Sequence, residues 1–316
     1  MLSITVSNRC VNRKPKNETN RALICFFNEK TGEYKVIKQN VLPDNIHLDD
    51  KKYKAFGCYP KGESLFIANH DKLIKLDKEG NYISYITLNN FKNPHQIIVT
   101  DDVKCFTNTD KDLIELTYKR KLRRSPNLDE LPTKDKKYVI DLKTLNNVVN
   151  DHIDERAFIY SGLHLFQDDN HHVNSLCLND DKIFFCLHNR GSKPSQYFYI
   201  DLKNEKIKYI CDYGYTSHNC EIEGDLLYTL DTRGGNFACI NWKTGKGWET
   251  KLVDREDYFL RGLVITKNHF IIGVSLTDTN ANKGNSQILF VDRETKEIIN
   301  RYDIEGYNCV NDIKQI

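Results

Sequence analysis

The sequence predicts an all-β fold, a six-bladed β-propeller whose first and last segments pair to close one blade. Three observations carry this expectation. Short apolar runs of five to seven residues, rich in aromatic and β-branched side chains, recur along the whole chain. They fall into cycles of four, separated by turn-forming residues. Four cycles end their third run in Asp or Asn followed by a tight turn: "KLDKEGNY", "YIDLKNEK", "CINWKTGK" and "FVDRETKE".

The clearest cycle spans 217–253. "HNCEIE", "DLLYTLD", "NFACINW" and "GWETKLV" are separated by Gly224-Asp225, Arg233-Gly234-Gly235 and Lys243-Thr244-Gly245-Lys246. A second cycle reads "RGLVIT", "HFIIGVS", "SQILFVD" and "EIINRYDI" (261–304), and a third reads "HVNSLCL", "KIFFCLH", "QYFYIDL" and "KIKYICD" (172–212). A fourth, "KAFGCYP", "SLFIAN", "KLIKLD" and "YISYITL", fills 54–88. The cycle opening near His95 supplies "QIIVTDD", "KCFTNTD" and "DLIELTY". It is then interrupted by a basic segment, which we read as an insertion at about 119–137 in or after that blade, partly helical or part of an extra blade. "RALICFFNEKTGEYKVI" (21–37) has only two outer strands, and 305–316 supplies the missing inner one or two. Together they complete a sixth blade and leave no free sheet edge. The whole chain, 1–316, then forms one propeller domain.

Composition restricts the function classes. The 316 residues are 39% hydrophobic and 28% charged, as in an ordinary globular protein, and the net charge of +2 gives no global basic field for nucleic acid. The run "KRKLRRS" (119–125) is the one candidate phosphate patch, but Tyr118 is its sole aromatic neighbour, so nucleic-acid binding is not expected. The ten cysteines lie mostly inside apolar runs and include no C-x-x-C, which fits reduced, buried thiols and a cytoplasmic location. No apolar run approaches a membrane span and the N-terminus lacks a secretory core, so no membrane association is expected.

The first strand of each blade lines the channel, and its opening residues gather at one mouth. Counting back six residues from the turn that follows each first strand gives His95, Asn174, His218 and Arg261 in successive blades. His172, Asn219, Glu221 and Asn311 stand nearby in sequence. Polar side chains converging on a narrow channel must be paired or bound to something. Two chemistries fit. A divalent metal on His95, His172 and His218 is one. A small anionic or polar substrate held by His95, His218 and Arg261, with Asn174, Asn219, Glu221 and Asn311 as further contacts, is the other. In the enzymatic reading His95, His218 and Arg261 are catalytic, and lyase, hydrolase and oxygenase chemistry remain open because the fold does not choose among them. The alternative is a non-catalytic propeller that binds a small molecule or a protein. No G-x-S-x-G occurs, so acyl-enzyme chemistry is not expected.

Four motifs carry a resemblance. "DDNHHVNSL" (168–176, with His172 as the motif histidine), "TSHNC" (216–220), "FLRGLVITKNHFIIGVS" (259–275) and "CVNDIKQI" (309–316) resemble an uncharacterised family of bacterial six-bladed propeller proteins. That family has D-x-x-H-[LV]-N-[GS]-L and R-G-L…G-[LV]-S motifs, and the likeness covers roughly the C-terminal half. "TSHNC" lacks the Pro-Arg that follows in the family pattern. "PHQIIVTDD…TNTDKDLIEL" is similar, more distantly, to N-H-L and lyase-type propeller repeats, which implies the fold only.

Overall fold

The computed structural model describes residues 1–7, 22–38, 41–43, 55–69, 71–88, 94–109, 113–120, 134–141, 171–204, 206–277, 279–280 and 283–316. Its strands form six four-stranded antiparallel sheets, the blades of a β-propeller. The second blade runs β4 (Cys58–Lys61), β5 (Ser64–Asn69), β6 (Lys72–Asp77) and β7 (Tyr82–Thr87). The third has β8 (Ile97–Val99), β9 (Val103–Asn108), β10 (Leu113–Arg120) and β11 (Lys134–Asp141). β12 (Val173–Asn179), β13 (Lys182–Leu187), β14 (Gln196–Asp201) and β15 (Lys206–Asp212) make the fourth. The fifth is β16 (His218–Glu223), β17 (Leu226–Asp231), β18 (Asn236–Asn241) and β19 (Gly247–Lys251). The sixth is β20 (Tyr258–Ile265), β21 (His269–Leu276), β22 (Ser286–Asp292) and β23 (Ile298–Ile304).

Closure follows the expected principle, with the strands divided three to one between the N- and C-terminal segments. β24 (Cys309–Gln315) is the inner strand of the first blade, followed outward by β1 (Leu2–Ser7), β2 (Ala22–Phe27) and β3 (Tyr34–Lys38). The N-terminal segment therefore supplies three strands, where 21–37 alone had suggested two. β1 is easily missed because Ser3 and Thr5 alternate with Leu2, Ile4 and Val6. That pattern reads as a half-exposed strand, yet all six residues are buried. Ser3 Oγ donates to Lys314 O at 3.2 Å and Thr5 Oγ1 to Phe56 O at 2.7 Å, which satisfies the hydroxyls inside. The inner strands β24, β4, β8, β12, β16 and β20 touch in a ring around the channel.

The recurring Asp or Asn at the end of the third strand has a mechanical role. Asp201 Oδ1 accepts the backbone N–H groups of Lys203 and Asn204, and Asp292 Oδ1 those of Glu294 and Thr295. Asn241 Oδ1 does the same for Lys243 and Thr244, and Asp77 Oδ1 for Glu79 and Asn81. Each side chain closes its outer hairpin by an Asx turn. Apolar faces of neighbouring blades pack on one another. Leu2, Ile4, Val6 and Phe27 of the first blade meet Val264, Ile271, Ile288 and Phe290 of the sixth.

The basic segment falls in the chain between β10 and β11, so the interruption sits within the third blade, between its third and fourth strands. Residues 119, 120 and 134–137 are strand, and 121–133 lie outside the described residues, as does the partly helical reading of them. Among the described residues the cysteines are free, all buried except the half-buried Cys211. No described helix is long and apolar enough to cross a membrane.

Candidate functional site at the channel mouth

Bulges near the openings of four inner strands shape the site. The extra residue is Asn174 in β12, Asn219 in β16, the pair Arg261–Gly262 in β20 and Asn311 in β24. A bulge re-aims side chains that a regular strand would alternate between faces. Gly262 has φ +79°, and an added Cβ there would come within 2.6 Å of Ile313 Cγ1. Its N–H donates to Asn219 Oδ1 at 2.7 Å.

A row of imidazoles crosses three blades. Phe56 stacks on His95 at 4.9 Å between ring centroids. His95 meets His172 edge-on at 4.9 Å, His172 lies 4.8 Å from His188, and His188 lies 4.9 Å from His218. Arg261 stands beyond His218, lies over the Phe259 ring at 5.6 Å, and donates to Asn311 Oδ1 at 3.4 Å. Asn311 Nδ2 in turn donates to Ala55 O at 3.0 Å and to Ser7 Oγ at 3.1 Å. All six blades thus contribute to one circle of side chains.

The histidines next to Arg261 are uncharged. Burial, then His172 and Arg261, push His188 down to about 2. Burial again leads for His218, followed by Arg261, His188, His95 and His172, and holds it well below the usual imidazole range. The tautomer of His218 follows from its partners. Nδ1 lies 2.9 Å from Thr216 O, which can only accept, and 2.8 Å from Thr232 Oγ1, whose proton goes to Leu260 O. Nδ1 therefore carries the proton, and Nε2 presents a lone pair.

Beside this row lies a cleft of about 560 Å³. His172, His188, His218, Arg190, Arg233, Arg255 and Arg261 line it, with Thr216, Thr232, Thr277, Tyr258 and Phe259. No Asp or Glu is among these lining residues. Arg261 is half-buried, whereas Arg190, Arg233 and Arg255 are exposed at the rim.

Comparison with known proteins adds the fold. The chain is similar to a chain of a nidogen–laminin complex, with a TM-score of 0.62, 8% identity, and 99% and 97% of the two chains covered. It is also similar to a protein of unknown function from Bacteroides caccae, with a TM-score of 0.55, 9% identity and the same coverage of 99% and 97%. The likeness is one of fold alone. No family model and no curated protein matches the chain.

Within that fold, the residues expected at the mouth separate into three levels. His95, His172, His218, Arg261 and Asn311 belong to the circle. Asn174 and Asn219 are buried ties: Asn174 Nδ2 donates to Ser217 O at 3.2 Å, and Asn219 joins Gly262 N–H to Asp312. Glu221 lies beyond them, 2.5 Å from Lys314 Nζ and 3.5 Å from Cys177 Sγ. The side chains of Asn219 and Glu221 are thus engaged by partners in other strands. Among the described residues, no group of three or more His, Cys, Asp or Glu could hold a metal ion, and His95, His172 and His218 are members of a row.

His188, Arg190, Arg233 and Arg255 escape a count anchored on the first strand, since they follow second strands or bridge blades. A repeat signal for two of them was present. "LHNRG" (187–191) and "LDTRG" (230–234) are register-equivalent, since Leu187 pairs with Val173 as Leu230 pairs with His218. Arg190 and Arg233 are thus the same position in adjacent blades, and Arg233 Nη1 donates to Gly191 O at 3.2 Å.

Proposed function

We propose that the channel mouth binds a small anionic molecule, its carboxylate or phosphate held by Arg261 with Arg190, Arg233 and Arg255 at the rim. The sign of the charge in the cleft carries this reading: four arginines and no acidic residue in its described lining. Guanidinium groups match carboxylate and phosphate oxygens two at a time. The neutral His188 and His218 add no second charge. If the bound molecule is a substrate, His218 orients it, because Nε2 presents a lone pair to a donor while Nδ1–H holds the ring in place. A non-catalytic binding propeller would use the same contacts.

Calorimetric titration with inorganic phosphate, pyrophosphate and citrate tests the proposal. Binding should weaken as ionic strength rises and should be lost in Arg261→Ala. Absence of binding by all three anions, or wild-type affinity in Arg261→Ala, overturns it. Zinc binding by the wild type that disappears in His172→Ala would favour the metal reading instead.

A further inference from the structure

His218 is 6% exposed, and its Nε2 has no hydrogen-bond partner among the described residues. The rest of the ring is fully committed. Nδ1–H is shared between Thr216 O and Thr232 Oγ1, and Thr232 is itself anchored on Leu260 O, the residue preceding Arg261. Those partners hold the Nδ1 edge against its own blade, and Thr216, Thr232 and His218 all line the cleft. A buried lone pair without a donor is costly, on the order of 1–3 kcal/mol. Low basicity removes the other escape, which would be protonation of the ring itself.

The backbone at this place is also strained. Thr216 is β-branched yet has φ +53°. Of the seven described residues other than glycine with positive φ, His172, Asn189, Arg190, Thr216 and Asn219 surround the site, and Asp180 and Lys296 sit elsewhere. Strain of this kind persists where the surrounding structure enforces a particular arrangement, and it clusters at ligand sites. Here it presents Thr216 O to Nδ1 and so dictates the tautomer.

We infer that the anion bound in this cleft also carries a hydroxyl group close to its charge, and that this hydroxyl donates to His218 Nε2 while Arg261 takes the anionic group. The inference rests on the anion-binding reading above. Its ligand class is the hydroxy acids, sugar acids and phosphorylated polyols, which share an oxyanion beside a hydroxyl donor. Plain anions of the same charge fill the arginine positions and leave Nε2 bare. A pocket that hydrogen-bonds a ligand hydroxyl discriminates against the analogue lacking it, because its own polar atom is then left unpaired.

Two ligand pairs that differ in hydroxylation test this on the full chain: malate against succinate, and glycerol 1-phosphate against propyl phosphate. Wild-type protein should bind the hydroxylated member of at least one pair about tenfold more tightly or better. The pair that shows the preference identifies carboxylate or phosphate as the anionic group. In His218→Phe the affinity ratio should fall to about one. Long-range 15N–1H spectra of wild-type protein give a readout independent of that variant. They should show His218 as the Nδ1–H tautomer, with Nε2 moving upfield on addition of the preferred hydroxylated ligand and staying in place with its plain partner. Equal binding within both pairs, or a preference that survives in His218→Phe, overturns the inference and leaves anion binding intact. Failure of all four ligands to bind overturns both.

Discussion

Asp312 Oδ1 accepts a hydrogen bond from Gln96 Nε2 at 3.0 Å and so ties the last strand to a residue 216 positions earlier. The same oxygen accepts from Asn219 Nδ2 at 3.2 Å, and Oδ2 accepts from the Cys58 N–H at 3.2 Å. The pattern has threefold regularity. Gln96 accepts the N–H of Leu176, Asn219 that of Gly262 and Asp312 that of Cys58, so every second blade holds the backbone of the next. These side chains fill the channel just inside the imidazole circle. They give the mouth a fixed floor and separate it from the Lys314–Glu221 pair beyond.

The floor should make stability depend on pH through Asp312. Burial raises its carboxyl to about 6, with Glu221 assisting and Lys314 and the Cys58 N–H opposing. An unfolded aspartate titrates near 3.9. Between those values the folded protein holds a proton that the unfolded chain has released. Stability therefore falls as pH rises from about 4 to about 6, by about 3 kcal/mol from this group, and levels off above that range. Asp312→Asn should flatten this slope in thermal melts, whatever it does to the mean Tm. A wild-type slope retained by the variant would assign the dependence to another group.

Gln96→Leu should be costly because it strands two partners at once. The Leu176 N–H, now bonded to Gln96 Oε1 at 2.7 Å, loses its acceptor, and Asp312 loses one of its donors. Each buried group left unpaired costs about 1–3 kcal/mol. Chemical denaturation should show a loss on the order of 2–4 kcal/mol with an unchanged m-value. A loss of about 0.5 kcal/mol or less would mean that the lock contributes little.

How far the sequence reaches is clear from these residues. The blades were legible because an Asx turn needs Asp or Asn at one position, and that position repeats at Asp77, Asp201, Asn241 and Asp292. Of the row, His95 and His218 were legible through the distance from each first-strand turn, and His172 only as a neighbour in sequence. The bulges were not, because Asn219 at φ +55° and Asn174 are ordinary letters in a strand-like run. Counting six residues back from the turn aligns Asn174 with His218. The bulge comes one residue earlier relative to that turn in β12 than in β16, so the count points at a buried tie in one blade and at the cleft in the other. Arg261 came from that count, but Arg190, Arg233 and Arg255 lie in turns that no first-strand count visits.

Deleting residues 305–316 should remove β24 and leave β1 with an unpaired inner edge. The deletion also takes away Asp312, Asn311 and Lys314, so the floor and the circle open together. The expected outcome is aggregation on expression, or a Tm far below that of the full chain. A truncated protein that stays monomeric and melts like the full chain would refute closure through β24.

The rim arginines should act on the rate of ligand capture more than on its final hold. Arg255 is exposed, while Arg261 is half-buried against Phe259 and within reach of Asn311. Exposed charges steer an approaching anion over roughly a Debye length, about 8–10 Å at moderate salt, and are readily screened. Arg255→Ala should therefore slow association and flatten its dependence on ionic strength, with dissociation and Tm little changed. Arg261→Ala should act mainly by speeding dissociation, since it removes the guanidinium that stays desolvated in the complex. Stopped-flow measurement with a bound anion at two salt concentrations separates the two effects. If Arg255→Ala changes dissociation and leaves association untouched, its guanidinium contacts the ligand directly, and the division between a steering rim and a holding interior is wrong.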